Sequence, residues 1–154
     1  MAAIVGVVLV TDASDSEART VRAAGISAQV PRGWHQRLPN DPIQLSVYTD
    51  AWFVGENCDA KTDYTTINVG VTSDPGRGPT PIPRPMRFDT TQGTGIQTGK
   101  DYADLVCGMT SQTITFTDNG QAWKATLNFA RDAPPKRRAQ AYRLLETLRL
   151  PKSN

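Results

Sequence analysis

Residues 113–130 read TITFTDNGQAWKATLNFA, and this stretch restricts the fold more tightly than any other part of the chain. Asn119-Gly120 is a preferred pair for a two-residue hairpin turn, because both central positions need positive φ, which asparagine tolerates and glycine adopts freely. With that turn, Asp118 opposes Gln121, Phe116 opposes Trp123 and Ile114 opposes Ala125. Ile114, Phe116, Trp123, Ala125, Leu127 and Phe129 then share one face, while Thr115, Thr117, Lys124, Thr126 and Asn128 share the other. A slip of one residue would turn every apolar side chain to the polar face, so turn chemistry and alternation specify the same register. A long antiparallel hairpin is therefore expected, with Trp123 pointing inward.

Three further strands follow from period-two alternation. Ile26, Ala28 and Val30 alternate with Ser27 and Gln29 and end at Pro31 and Gly33; Ile43, Leu45 and Val47 alternate with Gln44, Ser46 and Tyr48; Ile67, Val69 and Val71 alternate with Asn68 and Gly70. The short run Ala51 to Val54 either extends the sheet or starts a new element. Residues 73–99 carry prolines at 75, 79, 81, 83 and 85 and read as an extended surface loop, since proline cannot donate to a ladder. After Pro134-Pro135, which suits a helix start, Ala141, Leu144, Leu145 and Leu148 recur at i, i+3, i+4 and i+7. This predicts a helix that Pro151 stops, with Lys136, Gln140, Arg143 and Thr147 on its solvated side.

The expected fold class is α+β, an antiparallel sheet whose C-terminal hairpin packs against a C-terminal helix. A chain of 154 residues suits one domain. Residues 1–24 are read as a hydrophobic segment and polar linker, and 25–154 as a single α+β domain with a Pro/Gly-rich loop at 73–99. Charge is unevenly placed: Arg131 to Lys152 holds seven basic residues against Asp132 and Glu146, for +5, and the remainder is −3. That basic footprint is smaller than nucleic-acid binders present, so no nucleic-acid partner is expected.

The compartment turns on residues 2–10, AAIVGVVLV, nine residues without a charged or hydrogen-bonding side chain. A spanning helix needs roughly 20 such residues, so the run is either a core strand or the C-terminal half of a membrane anchor or signal. Asp12, Asp15 and Glu17 arrive before Arg19, the first basic residue, which favours an anchor with the body outside the cytoplasm. Cys58 and Cys107 fit one disulfide, whose loop would contribute on the order of 4 kcal/mol, or else two buried thiols.

The inventory for catalysis is thin. His35 is the only histidine, at the edge of a strand after Trp34, and no nucleophile elbow accompanies it. Asp59 with Asp63 and Asp101 with Asp104 have helical spacing but lack the ligand density of a calcium loop, and the two cysteines with His35 make no zinc set, so neither metal nor cofactor is expected. Trp52, in TDAWFVGEN, lies between polar turns and is the candidate binding contact for a protein or cell-envelope component.

The stretch GISAQVPRGWHQRL, with Pro31, Gly33 and Trp34, and the terminal hairpin followed by a helix ending LLETLRLP, with Leu145, Leu148 and Arg149, resemble small extracytoplasmic actinobacterial domains similar to the PsbP-like fold. The resemblance spans Gly25 to Pro151 and implies an antiparallel sheet packed on helices, in non-catalytic accessory or binding modules with no catalytic residues to transfer. The expected function is thus a non-catalytic extracytoplasmic binding module, membrane-anchored or secreted, of unknown oligomeric state. The alternatives are a small hydrolase using His35, or a cytosolic interaction protein with two free thiols.

Overall fold

The structure, a computed structural model, describes residues 18–38, 40–49, 64–72, 81–88, 96–98, 110–130 and 133–152. Its elements run β1 (Arg19–Ala23), β2 (Ile26–Val30), β3 (Trp34–Arg37), β4 (Leu45–Thr49), β5 (Thr65–Val71), β6 (Ile82–Pro83), β7 (Ile96–Thr98), β8 (Thr110–Asp118), β9 (Gln121–Phe129) and α1 (Pro135–Glu146). This is an α+β fold, mostly antiparallel sheet with one C-terminal helix among the described residues. Strands β1 and β2 form a separate hairpin, and the main sheet has the order β3-β4-β5-β9-β8-β6, with β7 also on β8.

The β8–β9 hairpin has the register that its turn and alternation predict: Asp118 opposes Gln121, Phe116 opposes Trp123 and Ile114 opposes Ala125. Asn119 and Gly120 take φ of 51° and 76°. Carried through the ladders β9–β5–β4–β3, that register puts Trp34, Leu45, Val47, Ile67, Val69 and Leu127 on the same face as Phe116 and Trp123, and all are buried. The helix stripe Ala141, Leu144, Leu145 and Leu148 and the hairpin residues Val21, Ile26, Ala28 and Val30 close the same core. Each of these leucines contributes roughly 2 kcal/mol by leaving water.

Three expectations are corrected. The polar stretch 11–24, read as linker, ends in a strand: Arg19–Ala23 pairs along the whole of β2, so the fold begins before Gly25. The turn was hidden because Ala24 supplies one of its two positive-φ positions, at 49°, beside Gly25 at 79°, and alanine is not a turn residue of that kind. The Pro/Gly-rich loop is docked over part of its length: Ile82 and Pro83 run parallel to Phe116 and Thr117, and Phe88 is buried edge-on against Phe116 with ring centroids 5.2 Å apart. Finally, α1 ends at Glu146 rather than running to Pro151, because Arg149 leaves to exchange two backbone hydrogen bonds with Ser27 of β2, at 3.0 and 2.8 Å. Ala51 to Val54 lie outside the described residues, as does the apolar run 2–10.

Glycine is required at one position in the sheet. A Cβ on Gly70 would lie 2.3 Å from the carbonyl oxygen of Pro42, in the turn that precedes β4. Because the obstacle is backbone, no side-chain rotation relieves it. Gly70→Ala is expected to cost about 2 kcal/mol by overpacking, read as a drop in the denaturation midpoint, and an unchanged midpoint would contradict this packing.

Candidate functional site

The described residues offer two surfaces for chemistry, one on each side of the main sheet. On the side away from the core the ladders align His35 with Tyr48, Arg37 with Ser46, Ser46 with Asn68, and Thr66 with Asn128. The side chains pair across strands: Ser46 Oγ donates to Asn68 Oδ1 at 2.8 Å, and Asn128 Nδ2 to Thr66 Oγ1 at 3.0 Å. The exposed His35 ring lies 5.5 Å from the Tyr48 ring, and the Arg37 guanidinium sits 5.0 Å from the same ring centroid. No hydrogen bond or ion pair joins His35 to a carboxylate among the described residues. Asp118 and Glu146 face Arg84 and Arg87 instead. A general base needs an orienting partner and a nucleophile within reach, and His35 has aromatic and cationic neighbours.

Tyr64, just before β5 on this side, is buried, and burial pushes its phenol up to about 12; Arg37 pulls the other way and Tyr48 reinforces the rise. The ordinary tyrosine value is about 10. A value raised in the folded state means that the neutral phenol is favoured by folding, so this contribution to stability is whole below pH 10 and is lost as pH climbs toward 12. Phenolate absorbance should therefore show a late-titrating tyrosine that Tyr64→Phe removes. A titration in which every tyrosine ionises near 10 would contradict it.

The second surface is a groove where the β1–β2 hairpin meets the end of α1, and Arg84 builds it. Flanked by Pro83 and Pro85, Arg84 leaves β6 in a stiff extended backbone, its N–H donating to the Thr117 carbonyl at 2.8 Å. Its guanidinium then donates to the carbonyls of Leu145 (2.9 Å), Glu146 (2.8 Å) and Leu148 (2.7 Å) and to Asp118 Oδ2 at 3.0 Å. The last carbonyls of a helix have no intrahelical partner and carry the negative end of its dipole, so one planar cation satisfies several of them together. Thr147 completes the seam: its hydroxyl donates to the Leu144 carbonyl at 2.8 Å and accepts the Gln29 N–H at 2.9 Å.

The resulting groove, about 500 Å³, is walled by Arg84, Met86 and Arg149 over a floor of Gln29, Thr147 and Leu148. Gln29 and Thr147 also line a smaller recess of about 150 Å³ between Pro31 and Arg143. Hydroxyl, amide and guanidinium groups line the larger groove together with the carboxylate of Glu146, so it offers polar groups of both charges.

Of the residues singled out in the sequence, His35 is placed on the polar sheet face, apart from the groove. Trp52, Cys58, Cys107 and the carboxylates Asp59, Asp63, Asp101 and Asp104 lie outside the described residues. No group of three histidine, cysteine or acidic side chains among the described residues can hold a metal ion. Sequence reasoning missed Arg84, and the signal was there in Pro83-Arg84-Pro85, a cation held on a rigid extended backbone. Lys136 and Arg143 are exposed as their place on the helix predicts, while Arg137 lies 5.9 Å from the Trp34 ring centroid and Arg138 lies 4.4 Å from that of Phe129.

No protein-family model matches the chain, and no curated protein matches it. A crystal structure from Bacteroides thetaiotaomicron is similar at 13% identity and a TM-score of 0.45, covering 84% of this chain and 46% of that one. The chain thus spans a little under half of that protein's length.

Proposed function

We propose that the chain is a non-catalytic binding or accessory module that works outside the cytoplasm, tethered through its N-terminal segment or secreted, and that the groove at the hairpin–helix seam is its binding surface. The observation that carries the reading is the groove itself: an open, polar surface lined by Arg149, Glu146, Gln29 and Thr147 and held rigid by Arg84. The apolar run 2–10 with its acidic flank supports the tether, and the spacing of Cys58 and Cys107 supports a disulfide in an oxidising compartment. No helix among the described residues is long and apolar enough to cross a membrane. The finer fold assignment, to the PsbP-like type with the terminal hairpin packed on the helix, belongs to the same proposal; contact of Tyr142 with Gln112 of β8 and of Arg138 with Phe129 of β9 supports it.

The test is a set of chromogenic ester, phosphoester and glycoside substrates assayed with the wild type and His35→Ala. Neither protein should turn any of them over. Turnover that disappears in the variant would replace the binding module with the small hydrolase. Mass analysis after alkylation without reductant should find Cys58 and Cys107 unmodified, and two alkylated thiols would favour the cytosolic interaction protein.

A further inference from the structure

We infer that the outer face of the hairpin–helix layer docks on an anionic lipid surface, with the groove taking lipid headgroups and Met86 entering the interface. This names the partner class of the groove and rests on the binding-module reading. The argument begins with register. In adjacent strands directly opposed side chains point to the same side, and Arg22 opposes Ser27 while Ser27 bridges to Arg149. Arg22 and Arg149 therefore flank Ser27 in one outward row. The next row is Thr20, Gln29 and Thr147, tied by Gln29 Nε2 donating to Thr20 Oγ1 at 2.9 Å and by the Gln29 N–H on Thr147.

From Thr147 the outward stripe of α1 continues through Arg143 to Lys136, both exposed. Beside the groove stand Arg87 and Met86, and Met86 is 96% exposed. The acid described on this surface is Glu146, 3.9 Å from Arg87. Among the described residues the face thus presents Arg22, Lys136 and Arg149, with Arg87 beside the Glu146 carboxylate, around a fully exposed thioether. Cations near a membrane surface are each drawn to anionic headgroups by about 1 kcal/mol, and an exposed apolar side chain among them gains by entering the headgroup–acyl boundary.

Two observations favour lipid over a polyanion such as nucleic acid. None of these outward residues is an aromatic ring on which a base would stack. In addition, β1 begins at Arg19 on this same layer, so the apolar run 2–10 is joined to it by only the short segment 11–18. Eight extended residues reach roughly 28 Å at most, which keeps a tethered domain with this layer close to the bilayer.

The experiment is co-sedimentation of the full chain with phosphatidylglycerol–phosphatidylcholine vesicles and with pure phosphatidylcholine vesicles. Wild type should prefer the anionic vesicles, and that preference should fall as salt rises. Arg22→Glu with Arg149→Glu should weaken binding to anionic vesicles by at least about tenfold while leaving the weaker association with neutral vesicles, which the apolar N-terminal run sets. Met86→Asp should weaken binding too, and Lys124→Glu, on the opposite sheet face, should not. Thermal unfolding of each variant checks that the fold is kept, and the wild-type lipid and salt dependence stands without any variant. Equal binding of wild type to both vesicle types, or no effect of the double reversal in a folded protein, would overturn the docking. Comparable salt-sensitive affinity for duplex DNA, indifferent to Met86→Asp, would overturn it in favour of a polyanion. Turnover dependent on His35 would instead remove the binding-module reading and leave the vesicle result standing, so the two failures are distinct.

Discussion

Arg84→Ala lowers the stability of the folded chain by about 3 kcal/mol, since hydrogen bonds from a charged donor are worth roughly 1.5–3 kcal/mol each and three carbonyls, two at the helix end and one just past it, lose theirs together. Part of that loss is recovered, because water reaches the vacated carbonyls at the open end of the groove. For a chain of this length the midpoint of thermal unfolding falls by about 10 °C. The contribution of Asp118 is separable. It is partly exposed, its pair with Arg84 is worth at most about 1 kcal/mol, and Asp118→Asn should cost no more than that. Arg84→Lys restores less than half of the loss, because a single ammonium does not span carbonyls fanned around a planar fork. Amide exchange at Thr147 to Arg149 reads the same event locally, since their backbone bonds to α1 and β2 depend on the helix end staying in place. A fall below about 1 kcal/mol in the alanine variant would show that the helix end does not need its cation.

Trp123→Ala costs about 4 kcal/mol, the usual range for a large aromatic truncated in a packed core. The side chain is 1% exposed, opposes Phe116 on β8 and Val71 on β5, and donates from Nε1 to the Asp118 carbonyl at 3.3 Å. Its neighbour Lys124 is exposed on the opposite face, so Lys124→Ala should change stability by less than about 0.5 kcal/mol. That contrast between adjacent positions is a direct reading of register, because a one-residue slip would exchange their environments. Urea unfolding of the two variants checks it, and comparable losses at both positions would contradict the pairing.

The elements legible in the sequence are those in which neighbours along the chain supply the whole signal. The β8–β9 hairpin carries its own turn residues and its own alternation, and α1 carries the stripe Ala141, Leu144 and Leu145 that Leu148 continues just past its end. Strands β2, β4 and β5 alternate clearly because one face of each meets the core and the other meets polar groups. Less was legible in β1, where Arg19, Thr20 and Arg22 surround the single fully buried Val21, and where Ala24 occupies a position that turn chemistry would assign to asparagine or glycine. Its strand character comes from pairing with β2 rather than from its own residues, as β-propensity depends on partners.

Of the candidate site, the sequence offered His35 and a basic helix. The structure puts His35 beside Tyr48 and Arg37 and sets two of the helix cations, Arg137 and Arg138, against aromatic rings. The groove was not legible, because its walls come from β1, β2, the segment after β6 and the end of α1, which lie far apart in the chain, from Thr20 to Arg149. By itself, then, the sequence determined the hairpin register, the helix and the class of fold, since periodicity and turn residues are local and act before any distant contact forms. Only the tertiary structure decided where α1 stops, how residues 81–88 dock and where the groove lies. Each of those depends on hydrogen bonds between distant segments, Arg84 with the helix carbonyls and Ser27 with Arg149. A carbonyl at a helix end takes whichever donor the fold delivers, and no spacing along the chain names that donor in advance.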